Sequence, residues 1–190
     1  TVGRMKTFNG QFGVLVRAYT YIRLHGAAGL RANAEHAVLN ANYLLSKVRG
    51  EYHLPFDRTC LHEFVVEGRW RDAPDVHALD VSKRLMDFGF HPPTNYFPLI
   101  VDEALMIEPT ESEPKKELDR LVDALISIRD EIRQVQMGAA DPIDNPLKNA
   151  PHTAPMVIAD NWDHAYTRSQ AAYPATWTRD FKFWPHVRRV

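Results

Sequence analysis

HPPTNYFPLIVDEALMIEPTESE, residues 91–113, combines a double proline, an imidazole, two aromatic rings and two apolar runs before it closes on glutamates. Its apolar runs predict two strands, one around Tyr96–Val101 and one at Ala104–Ile107. Such a pair of strands can simply build the core of a domain. Its two ends can also form the wall of a binding site, and the surrounding sequence is needed to choose between these interpretations.

Two helices are predicted on the N-terminal side of this stretch. The segments VLVRAYTYIRL and LRANAEHAVLNANYLLSKV repeat apolar residues at helical spacing, with Gly26 and Gly29 between them. Two strand candidates, EYHLPF and LHEFVVEG, follow, and in the second Phe64 and Val66 share one face. A third helix, HALDVSKRLMDFGF, is predicted to end near Gly89.

The helix that follows the quoted stretch has the most regular apolar pattern. Ser112 is a good N-cap, Thr110 with Glu113 is an alternative capping box, and Pro114 fits the first turn. Apolar residues then recur at helical spacing until Gly138. Short strands with helices between them predict an α+β domain, in which a small sheet is covered by helices on one face.

Residues 139–190 have a different character. They contain six of the thirteen prolines and three of the four tryptophans, Trp162, Trp177 and Trp184, without a sustained helical or strand period. A disordered tail would be poor in aromatic residues, so this segment is predicted to be ordered by wrapping over another surface. We expect a long irregular tail with few regular elements.

Length and charge exclude several classes of protein. The 190 residues carry a net charge of −1, which suits a globular domain and argues against nucleic acid as a partner. Cys60 is the only cysteine, so no intramolecular disulfide can form. No apolar run approaches the ~20 residues that span a bilayer, so no membrane partner is expected. The opening TVGRMKTFNGQFG lacks an initiator Met and a signal-peptide pattern, as expected of a piece cut from a longer chain.

The residues alone do not supply a self-sufficient catalytic set. All seven lysines are predicted to lie in polar helix faces or loops, and no glycine-rich phosphate loop is present. Histidines and cysteines do not occur at zinc-ligand spacing, so no metal site is expected. Cys60 and His62 would share one face of a strand, but no orienting acid or oxyanion donor accompanies them. Arg129 interrupts an apolar stripe, where it either pairs with a carboxylate or extends past the stripe into water.

Two polar side chains stand at the ends of the quoted stretch. His91 precedes Pro92 and Pro93, so its imidazole sits on a stiff turn that can aim it at a ligand. Glu108 ends an apolar strand beside Pro109, where a carboxylate is expected to be paired or close to a site. The alternative for both residues is that they only stabilise turns.

Other polar or flexible positions allow two interpretations. Glu111 and Glu113 suit a favourable interaction with the dipole of the following helix. The FNGQFG loop, with Asn9, Gly10 and Gly13, is either a hinge or a ligand-binding loop, because glycine permits unusual backbone angles and close approach.

Several motifs of the chain point to one family. They include FNGQFGVLVRAYTYIRLHGAAGL, CLHEF, KRLMDFGFHPPTNYFPL, ALMIEPTESEPKKELDRLVDALISIRDEI and DNPLKNAPHT. In order, and over nearly the whole chain, they resemble the C-terminal part of glycine decarboxylase, the P-protein of the glycine cleavage system. HPPTNYFPLIVDEALMIEPTE is more similar to the bacterial two-subunit form. The tail, with NWDHAYTRSQAAYP and KFWP, is more similar to the single-chain form.

This resemblance implies part of a fold-type-I pyridoxal-phosphate enzyme that decarboxylates glycine and passes the aminomethyl group to the lipoyl arm of the H-protein. The Schiff-base lysine would lie in a large domain outside this chain, so the chain alone is expected to be inactive. Residues 1–30 would be a helix that links from the large domain. Residues 31–138 would be the small C-terminal α+β domain, and residues 139–190 a tail that packs on the large domain or on a partner subunit.

The resemblance also implies where a site would lie. The HPPT and EPTE ends of the strand pair would face the cleft between the small and large domains, with His91 and Glu108 as candidate catalytic residues. The expected cleft-lining residues are Asn9, Gly10, Gly13, Thr94, Thr110 and Glu111. Pyridoxal phosphate is expected in the full-length enzyme and not in this chain. The partners would be the large domain or a partner subunit, lipoylated H-protein and glycine, in the bacterial cytoplasm or the mitochondrial matrix.

Two other functions are compatible with the sequence. One is a non-catalytic interaction domain that holds its partners with the aromatic tail. The other is the small domain of a different pyridoxal-phosphate enzyme, either an aminotransferase or a decarboxylase of other amino acids.

Overall fold

The computed structural model describes residues 2–3 and 6–186 of the chain. Helix α1 runs over Phe12–Val48 and is broken at Gly26, whose φ of 60° and ψ of −174° are not helical. The sequence predicted two helices interrupted by both Gly26 and Gly29. Only Gly26 breaks the run, because its positive φ is readily adopted by a residue without Cβ, whereas Gly29 stays helical.

The two halves of α1 differ in their contacts. After the break, Ala41, Leu44, Leu45 and Val48 are buried in the core. Before the break, apolar side chains are exposed around the helix. The large ones are Phe12, Val14, Leu15, Val16, Tyr19, Tyr21, Ile22 and Leu24. A helix that is apolar all round is typical of a protein interior. No described helix, α1 included, combines the length and apolar character needed to cross a membrane.

A three-stranded antiparallel sheet forms the centre of the domain. Strands β1 (Phe64–Glu67), β2 (Thr94–Asn95) and β3 (Ala104–Ile107) are arranged in the order β1-β3-β2. The central strand β3 buries three of its four residues. In β1 alternate residues are buried, as the sequence predicted for a strand with one face on the core.

Two of the strand predictions were wrong. Tyr96–Val101 is a loop, because Tyr96 has a φ of 59° that turns the chain as soon as β2 ends. Its apolar residues Leu99 and Ile100 are exposed to 86% and 82%. The EYHLPF segment forms isolated bridges and no strand.

Two helices pack with the sheet around one core. Helix α2 spans Ala78–Asp87 and helix α3 spans Lys115–Gln136. Each ends just before a glycine of positive φ, Gly89 at 85° and Gly138 at 70°, as the sequence predicted. The apolar stripe of α3 belongs to the same buried cluster as α1, α2 and the sheet. The prediction of a small α+β domain is therefore confirmed.

The start of α3 differs from the prediction. Its N-cap residue is Pro114, and no side chain caps it. Ser112 Oγ lies 2.8 Å from Thr110 Oγ1, so neither Ser112 as N-cap nor the Thr110–Glu113 capping box is correct. An acidic side chain, Glu117, occupies the first turn, where it interacts favourably with the helix dipole.

Arg129 fits neither of the two interpretations offered by the sequence. Its Nε donates to the carbonyl oxygen of Glu51 at 3.0 Å, and its Nη1 donates to Gln136 Oε1 at 2.8 Å. Its guanidinium also lies 6.0 Å from the centre of the Trp70 ring. Arg129 therefore joins α3 to the segment after α1 through neutral acceptors.

The described part of the tail contains four short helices, none longer than five residues. They are α4 (Pro146–Asn149), α5 (Ala154–Ile158), α6 (Arg168–Ala172) and α7 (Trp177–Asp180). The first three begin at side-chain caps from Asn145, Thr153 and Thr167. Local capping sets these short turns, but helices of this length need packing to persist.

The tail docks on α2 through Arg84, whose side chain is fully buried. The guanidinium donates to Glu131 of α3 from Nε at 2.9 Å and from Nη2 at 2.6 Å, and to Asp87 from Nη1 at 3.0 Å. Its two remaining N–H groups donate to the backbone carbonyls of Gln170 and Ala171. All five donors are therefore satisfied by α2, α3 and the tail together.

Asp87 binds a second tail residue, His152. Its Oδ1 accepts from the backbone N–H of His152 and its Oδ2 lies 2.7 Å from His152 Nδ1, while His152 Nε2 lies 2.9 Å from Tyr166 Oη. The sequence analysis placed the tail on a large domain or a partner subunit. In the structure, α2 of the same chain is a docking surface for the tail, because the buried side chains of Arg84 and Asp87 need partners.

Burial changes the ionisation of this cluster. It lowers the pKa of His152 below its ordinary value of 6.5. Burial also opposes the ionisation of Asp87, but the hydrogen bond from His152 and the charge of Arg84 hold the pKa of Asp87 below its ordinary 3.8. Both groups therefore bind protons at higher pH in the unfolded chain than in the folded chain, and acid favours unfolding.

We expect the free energy of unfolding to fall as the pH is lowered from about 7 to about 5. The contribution of neutral His152 is fully present above pH 6.5 and is lost as the pH falls through its lowered folded pKa. That of Asp87 is lost only below pH 3.8. Urea denaturation at several pH values measures the slope. His152→Gln removes this titration and should decline less steeply, whereas equal slopes for the two proteins would contradict the assignment.

Candidate functional site

A cavity of about 480 Å³ lies where α2 ends and α3 begins. It is lined by the segment after α2, by the end of β3 and by the first turns of α3. Of the eight residues that the sequence analysis named, four line this cavity, namely His91, Thr94, Glu108 and Thr110. The rest of the lining is mostly apolar, with three further charged residues. These are Glu113, Glu117 and Arg120.

His91 is placed by the end of α2. Gly89, with a φ of 85°, turns the chain out of the helix, and the two prolines that follow His91 keep the segment extended. The imidazole is exposed, and its Nδ1 lies 3.0 Å from the carbonyl oxygen of Pro92. Its Nε2 has no partner among the residues that the structure describes. This nitrogen can therefore donate to a ligand or accept from one.

Glu108 stands directly after β3, on the opposite wall of the cavity from the segment that carries His91. Its side chain is 53% exposed, and its Oε1 lies 3.7 Å from His62 Nε2. That separation is too long for a hydrogen bond, so the carboxylate keeps its capacity to accept from a ligand. Thr94 pairs with Met106 across β2 and β3, which brings the start of β2 and the end of β3 to the same end of the sheet.

The loop from Glu108 to the start of α3 is fixed by a residue that the sequence analysis missed. Asn40 of α1 donates from Nδ2 to the carbonyl oxygens of Thr110 at 2.8 Å and of Glu113 at 3.2 Å. The signal for it was a pair of asparagines, Asn40 and Asn42, in the otherwise mostly apolar AVLNANYL segment. Helix α1 therefore helps to hold one side of the cavity.

Arg120 was also missed. Its guanidinium lies 4.6 Å from the centre of the Phe90 ring, and Nη2 pairs with Glu117. Nε of Arg120 is buried without a hydrogen-bond partner in the described part of the chain. This stacked cation joins α3 to the segment that carries His91.

The other four predicted residues do not line this cavity. Asn9 and Gly10 are exposed before α1, and Gly13 lies in its first turn. Glu111 is exposed in the loop before α3. The structure thus brings together the residues that flank the strand pair and leaves the FNGQFG loop apart from them.

A second cavity, of about 700 Å³, lies near the other end of α2. Its charged residues are largely paired with one another: Arg69 with Asp102, and His77 with Glu103 at 3.3 Å. Glu103 Oε2 also accepts from the backbone N–H of Ala78 at the start of α2. These pairs already occupy four of the residues that could otherwise bind a charged ligand in the second cavity.

The Cys–His arrangement that the sequence raised has no chemical support. Burial raises the pKa of Cys60, which disfavours the thiolate. The backbone N–H and carbonyl of Cys60 both bind the amide of Asn42, so this residue is fixed as part of the contact with α1. Within residues 2–3 and 6–186, no group of three or more histidine, cysteine, aspartate and glutamate residues is arranged to hold a metal ion.

No lysine lines the cavity, so its residues cannot form a Schiff base with pyridoxal phosphate. Lys182 lies in a loop, as the sequence predicted, but its amine is partly buried and has a protein partner. Burial lowers the pKa of Lys182 to about 8, and its amine donates to the carbonyl oxygen of Asp87 at 2.8 Å. This lysine points to the end of α2 and does not belong to the cavity lining.

Comparison with known proteins identifies the family. The model of "Glycine dehydrogenase, C-terminal domain" matches residues 33–152 of the chain, which include the sheet, α2, α3 and the cavity. The chain belongs to the glycine dehydrogenase C-terminal domain family. The family resemblance drawn from the motifs is therefore confirmed.

Curated relatives of this family agree with that assignment. The chain is 46% identical over 185 residues to "Glycine dehydrogenase (decarboxylating)" of Nostoc punctiforme and 48% identical over 185 residues to that of Bordetella avium, with 95% of the chain covered in each case. A mitochondrial relative in Dictyostelium discoideum is 45% identical over 185 residues, again with 95% of the chain covered. The chain spans only 18–19% of the length of these relatives. The named family favours glycine dehydrogenase over the other pyridoxal-phosphate enzymes considered above.

We expect this domain to give no stoichiometric aldimine band when it is mixed with equimolar pyridoxal phosphate and its visible spectrum is recorded. The reason is that the described cavity offers no lysine to the cofactor. Lys182 is the most plausible side reactant, since its lowered pKa increases the fraction of neutral amine. Lys182→Met is therefore the control. A stoichiometric band that disappears when one lysine of this chain is replaced would contradict the expectation.

Proposed function

We propose that this chain is the small C-terminal domain of a glycine dehydrogenase (decarboxylating). The whole enzyme would decarboxylate glycine with pyridoxal phosphate and transfer the aminomethyl group to the lipoyl arm of the H-protein. The cofactor would act as the electron sink for the carbanion left by loss of CO2. It would be held by parts of the enzyme outside this chain, because the described cavity offers no lysine for it.

The observation that carries the proposal is the convergence of His91, Thr94, Glu108 and Thr110 on one cavity. These residues come from the HPPT and EPTE segments, which are separated along the chain by β2, the exposed loop and β3. A purely turn-stabilising role would not require both segments to present polar side chains to the same space. The cavity wall would face the cleft between the small and large domains.

His91 and Glu108 would support binding of glycine or of the lipoyl arm. The exposed imidazole of His91 has an Nε2 without a partner among the described residues, and this nitrogen can donate or accept a hydrogen bond according to its tautomer. The carboxylate of Glu108 can accept from an amine or amide N–H of a bound group. The apolar part of the lining would exclude water around them, which strengthens both interactions.

The first half of α1 would pack against the large domain. Its large apolar side chains are exposed on all sides in this chain, and a helix with that pattern belongs inside a protein. The loop that carries Leu99 and Ile100 offers a second exposed apolar surface for the same partner or for a partner subunit. Such an enzyme would function in the bacterial cytoplasm or the mitochondrial matrix.

The proposal is tested in the full-length enzyme with His91→Asn and Glu108→Gln. Each change removes a ligand-facing group while it keeps a similar size and polarity. We expect glycine turnover to fall by at least about tenfold, with the free energy of unfolding changed by less than about 1 kcal/mol. Steady-state assays with H-protein as the acceptor and thermal denaturation measure the two effects.

Matched controls carry the same chemical change away from the cavity. His53→Asn replaces an exposed histidine that lies 3.6 Å from Glu67, and Asp57→Asn replaces a carboxylate that is 51% exposed and paired with Arg49. Both should leave turnover unchanged. If His91→Asn and Glu108→Gln lose more than about 2 kcal/mol of stability, and activity falls only with the folded fraction, the two residues are structural and the site assignment is wrong.

A further inference from the structure

Two lysines of the tail hold the two ends of α2. At the N-terminal end, Lys148 Nζ donates to the carbonyl oxygen of Asp75 at 2.8 Å and to Asp80 Oδ2 at 2.9 Å. At the C-terminal end, Lys182 Nζ donates to the carbonyl oxygen of Asp87 at 2.8 Å. Both lysines bind a backbone carbonyl, and Lys148 also pairs with a carboxylate. Only Lys182 binds the end of α2 that leads into the cavity lining.

Trp177 adds a second donor at the C-terminal end of α2. Its Nε1–H donates to the carbonyl oxygen of Phe88 at 3.1 Å, and its ring lies 6.3 Å from the Phe88 ring. The last carbonyls of a helix have no partner within the helix and need donors from elsewhere. The tail therefore supplies the C-terminal cap of α2, with Lys182 on one carbonyl and Trp177 on the next.

In the sequence, the capped end of α2 is followed directly by the segment that lines the cavity. Gly89 follows Phe88 directly, and its φ of 85° sets the direction in which the chain leaves the helix. Phe90 is then fixed under the guanidinium of Arg120, and His91 comes next. The orientation of the Asp87 and Phe88 peptide groups thus determines where the His91 segment starts.

We propose that Lys182 and Trp177 are positioning residues for the His91 wall of the cavity. By capping the carbonyls of Asp87 and Phe88, they fix the exit from α2 and thereby hold His91 against the cavity. Lys148 binds the other end of the same helix and does not have this role. The link from this positioning to catalysis rests on the proposed function, whereas the positioning itself does not.

Hydrogen–deuterium exchange measured by mass spectrometry tests the proposal in the full-length polypeptide. We expect Lys182→Met to increase amide exchange in peptides covering residues 88–94 by about tenfold, because a hydrogen bond from a charged donor is lost. Lys148→Met should accelerate exchange around residues 75–80 and leave residues 88–94 unchanged. Trp177→Phe keeps an aromatic ring on Phe88 but removes the donor, and it should reproduce the Lys182→Met pattern to a smaller extent.

Rescue by a conservative variant gives a second readout. Lys182→Arg keeps a charged donor for the Asp87 carbonyl, so exchange at residues 88–94 should stay close to that of the parent. The proposal is overturned if residues 88–94 are unaffected in both capping variants. It is also overturned if Lys148→Met changes them equally, or if Lys182→Met and Trp177→Phe both loosen the whole domain uniformly.

Glycine kinetics on the same variants separate this inference from the proposed function. If exchange at residues 88–94 rises and turnover falls, both hold. If exchange rises and turnover is unchanged, the positioning holds and the catalytic role proposed for the cavity fails. If exchange does not change, the positioning role fails regardless of the turnover measured.

Discussion

The docking of the tail on α2 and α3 depends on one buried cation. Arg84 is removed from water, and an unpaired buried charge would cost several kcal/mol, so its guanidinium must be surrounded by acceptors. Glu131 from α3, Asp87 from α2 and two backbone carbonyls of the tail provide them. Three elements that are distant along the chain are therefore forced into one arrangement. The pair with Asp87 in turn recruits His152, which extends the same network into the tail.

The network also explains how the tail acts on the cavity. The tail is anchored at Arg84 and Asp87. This anchoring places Lys182 and Trp177 where they donate to the last carbonyl oxygens of α2. The chain leaves α2 from that capped end and runs directly into the segment that forms one wall of the cavity. The opposite wall is held by Asn40 from α1, so the cavity is fixed from two sides by groups that do not line it.

Much of the fold could be predicted from the sequence, because the deciding signals are local. The apolar stripe of α3, the alternation in β1 and the stop at Gly89 depend only on neighbouring residues. The apolar run at Tyr96–Val101 led to a wrong prediction of a strand, because the positive φ at Tyr96 turns the chain and leaves this run as an exposed loop.

The candidate residues that flank the strand pair were identified from the sequence. Asn40 and Arg120 were missed because they lie in helices whose polar residues are expected to face solvent. The hydrogen-bond network of Arg84 could not be predicted from the sequence, because His152 lies 65 residues from Asp87 and no local pattern marks the pair. The most direct test of its central role is the free energy of unfolding of Arg84→Met, measured by urea denaturation of the chain. The matched variant is Arg133→Met, which removes an arginine with two acidic partners at 39% exposure. We predict a loss of about 3–5 kcal/mol for Arg84→Met and of less than about 1 kcal/mol for Arg133→Met. Equal losses, or a stable Arg84→Met variant whose tail stays docked, would contradict the central role of Arg84.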